Sequence, residues 1–276
     1  MDQDQLTAYK SLLQKARWPI AHLVPELAYS VSALAQGGDD KKLLHMKALN
    51  DVVERLQTLG ERAVLRLRPL NLKALLVMTV MDASFGNEDG KKSQMGYMNI
   101  LTSEKVAMQP VVANLLEFQS TTITRIVRST MAAESASLSH ATDRQLYLRL
   151  LVESLLFGEP DLRRDWRETL RLPGIMVTDA KSLHDHLNKM GSIPTERREI
   201  VKIRWLPNRH MLADILTKAT KPNEVFDRFW LDGMYSLVPT EEEARAELRR
   251  LDMRRGQRAR AKEKKKGLHP HNKEGE

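Results

Sequence analysis

Cysteine is absent from the 276 residues, which excludes disulfides and thiolate metal sites and fits a reducing compartment. Aromatic residues make up only 5% of the chain, so a core here must be built mainly from aliphatic side chains. No apolar run approaches the roughly 20 residues that a membrane-spanning helix needs. The N-terminus, "MDQDQLTAYK", is acidic and polar, unlike a signal peptide. These absences predict an intracellular protein, nuclear or cytoplasmic and not secreted, with no membrane partner; they leave oligomeric state open. What is present suffices for folding, since 42% hydrophobic and 29% charged residues exclude wholesale disorder.

The formal charge is +8, and all of it belongs to one stretch. Residues 244–266, "ARAELRRLDMRRGQRARAKEKKK", carry eleven Lys/Arg against three Asp/Glu. The rest of the chain is neutral. Such a tail suits non-specific phosphate binding or nuclear import, or simply keeps a helix solvated.

Residues 4–70 read as helices. "PELAYSVSALAQGG" has Leu27, Val31 and Leu34 at helical spacing before a glycine pair, and "DDKKLLHMKALNDVVERLQTLGE" runs to Gly60. From residue 73 the texture changes. Residues 73–84 and 94–101 are strand-like and joined by the turn-forming "FGNEDGKKS", which predicts a hairpin; a third strand lies within 111–128. "STMAAESASLSHATDRQLYLRLLVESLLFG" predicts a long helix with an apolar stripe through Leu138, Leu146, Leu150 and Leu155. "GIMVTDAKSLHDHLNKMG" predicts a buried strand and a helix, "EIVKIRWLP" a further strand, and "NRHMLADILTKA" the last core helix. The order β-β-β-α-β-α-β-α implies a mixed sheet with helices on its faces.

Four acids fall at comparable places in that pattern. Asp82 ends the first strand, Asp179 ends the fourth, Glu134 lies near the start of the long helix, and Asp214 opens the last one. Ligand sites in open α/β sheets gather at strand ends and adjoining helix starts. Four converging carboxylates would repel one another unless cations neutralise them. Hard oxygen ligands in that number suit Mg²⁺ or Mn²⁺, and a pair of such ions is a clamp for phosphodiester hydrolysis.

At these residues the chain resembles the ribonuclease H domain of copia-type retrotransposon Pol polyproteins. "MDAS" followed by "KKSQMGY" is similar to that family's first acid and its "KSTSGY" strand. "RSTMAAES" is similar to "SSTEAEY", "VTDAKS" to "DNQSA", and "MLADILTKA" to "ADILTK", all in the family's order. Upstream, "QKARWPIAHLVPELAYSVSALAQ" is similar to the family's "RPDIAYAVSRLSR" after the polymerase palm, so the likeness covers about residues 5–220.

The resemblance implies a ribonuclease-H-like mixed five-stranded sheet flanked by helices at 71–220. It implies a helical segment like the end of the reverse-transcriptase region at 1–70, and a helical, basic, partly disordered tail at 221–276. The implied activity is metal-dependent hydrolysis of the RNA strand of RNA–DNA hybrids, by a C-terminal fragment of a Pol polyprotein that lacks the palm. Asp82, Glu134 and Asp179 would hold one Mg²⁺ or Mn²⁺, and Asp82 with Asp214 a second. His210, one turn before Asp214, matches by position the mobile histidine that assists catalysis in ribonucleases H.

The chain departs from the family twice. Some ten to fifteen residues usually found between "GSIPTERREI" and "VKIRWLP" are missing, and Ser84 and Phe85 stand where the family has a second acid and a tryptophan. A catalytically inactive or co-opted remnant that binds nucleic acid non-specifically is therefore the alternative expectation. Asp179 and Asp214, with 34 residues between them, also approach the spacing of integrases, but those enzymes end on Glu. His184 and His186 point about 200° apart on a helix and cannot share an ion. For the tail, deletion of residues 241–276 should weaken hybrid binding and flatten its salt dependence. Binding isotherms across a salt series check this, and an unchanged slope would leave the tail a role in solubility or import.

Overall fold

Strand β1 (Leu75–Ser84) is buried at every position, as expected of a central strand covered on both faces. The structure, a computed structural model, describes residues 1–38, 40–87, 92–158, 170–189, 202–238 and 253. The chain divides into two units, Met1–Leu237 and Val238–Glu276. The second unit, with the basic stretch, lies outside the described residues except for Val238 and Met253.

β1 pairs antiparallel with β2 (Gln94–Ser103) along its whole length. β3 (Val111–Val112) is a two-residue strand, and β4 (Asn114–Thr122) pairs antiparallel with β2. On its other side β1 runs parallel to β5 (Gly174–Thr178), which runs parallel to β6 (Lys202–Trp205). The order β4-β2-β1-β5-β6 makes a five-stranded mixed sheet. Flanked by helices, it is consistent with a ribonuclease-H-like fold.

A parallel pair needs a crossover, and α4 (Thr130–Phe157) is part of it. Ser129 caps the helix by accepting from the Ala132 N–H at 3.1 Å, and Gly158 closes it at φ 88°. Its buried face takes in part of the leucine stripe, since Leu138 and Leu146 pack, partly buried, against the cluster of Met81, Tyr97, Ala141 and Met176. Leu155 is 78% exposed, whereas Ala133, Glu134, Ser137, Ala141, Gln145, Leu148, Arg149 and Glu153 are buried. Small and polar residues let the helix lie close to the strands, and its polar groups bond to them. Gln145 Nε2 donates to Thr79 Oγ1 and to the Ile175 carbonyl, both at 2.9 Å. Arg149 Nε donates to the Leu172 carbonyl at 2.7 Å, and Glu153 accepts from the Arg171 N–H at 2.7 Å.

The other face of β1, through Leu76, Met78 and Val80, shares one core with the N-terminal helices α1 (Gln3–Leu23), α2 (Pro25–Ala35) and α3 (Leu43–Leu59). Pro25 opens α2, where its missing N–H costs nothing. Residues 223–237, assigned above to the tail, pack into the same core. α5 (Lys181–Lys189) precedes β6, and α6 (Glu224–Asp227) is followed by a π turn at Arg228–Asp232 and by β7 (Met234–Tyr235). β7 pairs with β3, and Phe226, Phe229, Trp230 and Tyr235 are buried, with Trp230 Nε1 donating to the Arg62 carbonyl at 2.8 Å. Aromatic burial draws this segment in.

The expected last helix is instead two 3₁₀ turns, Asn208–His210 and Leu212–Leu216. Its apolar residues surround the segment, with Met211, Leu212, Ala213, Ile215 and Leu216 all buried. They do not form a one-sided stripe, so a tight embedded turn buries more of them than an amphipathic helix would. Because α2 and β2 contribute to one core, Leu27→Ala and Met98→Ala should each cost about 2–5 kcal/mol in a single cooperative melt. Separate transitions in differential scanning calorimetry would show that the helices and the sheet fold independently.

Candidate metal centre

Asp82 follows Leu76, Met78 and Val80 in the alternating row of β1 and is 1% exposed. Its position depends on a glycine across the strand. Asp82 pairs with Gly96, and a Cβ there would lie 2.4 Å from Leu216 Cβ and 3.2 Å from Thr217 Cγ2. Only glycine lets the 212–216 turn seat against β2, which brings Thr217 and Lys218 over the carboxylate. The Thr217 hydroxyl donates to Asp82 Oδ2, and Lys218 Nζ lies 3.3 Å from the same oxygen.

Glu134 comes from the first turns of α4, about three turns before Gln145 and so on the same face. The bonds of Gln145 to β1 and β5 therefore help set where Glu134 falls. Ser137 adds a local tie, its hydroxyl donating to the Asp82 carbonyl at 2.9 Å. The Ala83 N–H donates to the Glu134 carboxylate. Glu134 Oε2 is buried and has no hydrogen-bond partner among the described residues. Asp179 follows β5; Asn208 Nδ2 donates to its Oδ2 at 2.9 Å, and Trp205 Nε1 donates to its carbonyl at 3.0 Å.

These elements bring together one carboxylate oxygen each from Asp82, Glu134 and Asp179, all within 4.8 Å of one another. This acidic triad is close enough to bind a metal ion. Burial, then the neighbouring Asp82 and Asp179 charges, push Glu134 up to about 9. Burial raises Asp82 to about 7, against the pull of Lys218 and with a push from Asp179 and Asp214. Asp179 is raised by burial and by Asp214. Each shift states that the ionised form lacks sufficient counter-charge. A hard divalent cation fits the donor set, which is all oxygen and includes Glu134, a residue with one buried carboxylate oxygen left without a hydrogen-bond partner among the described residues.

No protein-family model, curated protein or solved structure matches this chain. Among the described residues, no helix is long and apolar enough to cross a membrane.

The fourth expected acid lies outside the 4.8 Å group, though its charge acts on Asp82 and Asp179. Asp214 lies in the second 3₁₀ turn, and its Oδ1 accepts from Lys218 Nζ at 2.9 Å. His210 ends the first 3₁₀ turn and is 4% exposed, with its carbonyl accepting from the Tyr235 hydroxyl at 2.9 Å. The residues thought absent before Val201 border positions 190–201, outside the described residues. Sequence reasoning passed over Thr217 and Lys218, although both stand in "ADILTK" and the i,i+4 spacing of Asp214 and Lys218 was a usable signal.

The raised carboxyl values give a signed pH dependence. The folded form holds protons that the unfolded chain releases near pH 4. The stability these groups supply is complete below that pH, falls as pH rises, and is lost once pH passes about 7 for Asp82 and about 9 for Glu134. In chelator, the melting midpoint should therefore fall between pH 5 and pH 9. Glu134→Gln should flatten that fall and raise the midpoint at pH 9; thermal melts across the pH series would show otherwise if the three carboxylates did not interact.

Proposed function

We propose that this chain is a metal-dependent nuclease that hydrolyses the RNA strand of RNA–DNA hybrids, with Asp82, Glu134 and Asp179 as its metal ligands. The observation that carries the reading is the meeting of those three acids within 4.8 Å. They arrive from the end of β1, the start of α4 and the end of β5. Such a group has no role in packing, since two buried carboxylates and a half-buried one, ionised together, oppose folding. The hybrid as substrate and the origin in a retrotransposon-type Pol polyprotein rest on the resemblance of "MDAS", "RSTMAAES", "VTDAKS" and "MLADILTKA" to that family.

The carboxylates supply acceptors and no positive charge, so alone they would repel a phosphodiester. A bound Mg²⁺ or Mn²⁺ would lower the pKa of a water and neutralise charge developing on the phosphate. Asp82 and Asp179 are oriented for that task by Thr217 and Asn208. Glu134 presents the buried, unbonded Oε2.

A second reading is a catalytically inactive or co-opted remnant that binds nucleic acid without cleaving it. It draws support from Asp214, which is engaged by Lys218 and stands outside the triad. A labelled RNA–DNA hybrid separates the two. For the nuclease, cleavage should occur with Mg²⁺ or Mn²⁺ and leave duplex DNA intact. It should stop with chelator and fall by orders of magnitude in Asp82→Asn and Glu134→Gln, because ligands of one ion act as a unit. Binding without cleavage by the wild type would establish the remnant.

A further inference from the structure

One ammonium spans the two carboxylates that the family resemblance would give to a second metal ion. Lys218 Nζ lies 2.9 Å from Asp214 Oδ1 and 3.3 Å from Asp82 Oδ2. The backbone holds it there. The N–H groups of Thr217 and Lys218 both donate to the Asp214 carbonyl at 3.2 Å, and Thr217 also donates its hydroxyl to Asp82 Oδ2. The turn that carries all three residues is seated on Gly96.

An ammonium has three donors and no lone pair, so Lys218 neutralises the two acids and cannot itself ligate a metal. A Mg²⁺ ion shared by Asp82 Oδ2 and Asp214 Oδ1 would sit about 2.0–2.1 Å from each. Nζ already contacts both oxygens, and a cation bound to them beside it would be strongly repelled by the ammonium. The triad is less obstructed: its ligand atoms lie within 4.8 Å of one another, and among the described residues Lys218 pairs with Asp82 but with neither Glu134 nor Asp179.

We propose that this centre takes one divalent cation, on Asp82, Glu134 and Asp179, and that Lys218 is a resident counter-ion filling the place of a second between Asp82 and Asp214. The inference rests on the metal-centre reading above and revises to one the two ions that the family resemblance implies. It also gives Asp214 a role, which is to position Lys218.

Calorimetric titration of the full chain with Mn²⁺ tests it without reference to activity. The wild type should bind one ion, Glu134→Gln none with comparable affinity, Lys218→Arg one, and Lys218→Met two. Two ions in the wild type, or one in a folded Lys218→Met, would overturn the role of Lys218 and leave the metal centre standing. No saturable binding in the wild type would overturn the centre itself. Should circular dichroism show Lys218→Met unfolded, the stoichiometries of the wild type and Lys218→Arg decide: one ion in both supports the proposal, and two in either ends it.

Discussion

Asp82 is 1% exposed, beside a hydroxyl, an ammonium and two further carboxylates, and burying a carboxylate costs several kcal/mol unless something offsets it. Part of the offset is visible in the neighbours. Thr217 and Lys218 face Oδ2, and the Gly96 gap that lets them approach is itself set by the register of β1 on β2. The rest is missing, which is why the three acids of the triad all hold their protons more tightly than ordinary carboxylates. A fold that places uncompensated charge in its interior has accepted a cost in stability, and such costs concentrate where a ligand is to be bound.

Support for that arrangement extends well away from it. Gln145, Arg149 and Glu153 run down the buried face of α4 and bond to β1, β5 and the chain just before β5. Apolar packing alone is tolerant of small slides along a strand. Directed hydrogen bonds in a low-dielectric interior are not, because a shift would leave the donors unpaired. Glu134 inherits that precision by lying on the same face. On the opposite side of the sheet, the N-terminal helices and the aromatic segment at Phe226–Tyr235 close over Leu76, Met78 and Val80. They bury one face of the strand that carries Asp82.

The strands and most of the helices were legible in the amino-acid order, because period-two runs, glycine stops and turn clusters are local signals. The four acids were legible as residues at strand ends and helix starts. The buried face of α4 was legible only in part, through Leu138 and Leu146. Its leucines formed the more conspicuous stripe, but a helix that must approach two strands closely buries alanine, serine and hydrogen-bonded polar groups, and hydrophobicity alone does not register those. The last helix was misread for a related reason: Met211, Leu212, Ala213, Ile215 and Leu216 carry the composition of a helix, yet burial from all sides favours a tighter turn.

The amino-acid order by itself determined a mixed α/β chain, a neutral body with a basic tail, and which carboxylates were available for chemistry. Only the tertiary structure decided that Asp82, Glu134 and Asp179 meet while Asp214 is drawn to Lys218, and that residues 1–59 and 223–237 belong to the core beneath the site. Periodicity reports each segment's preferences separately. Convergence depends on strand register, on the parallel crossover carried by α4 and on one glycine opposite Asp82, and these are relations between residues far apart in the chain.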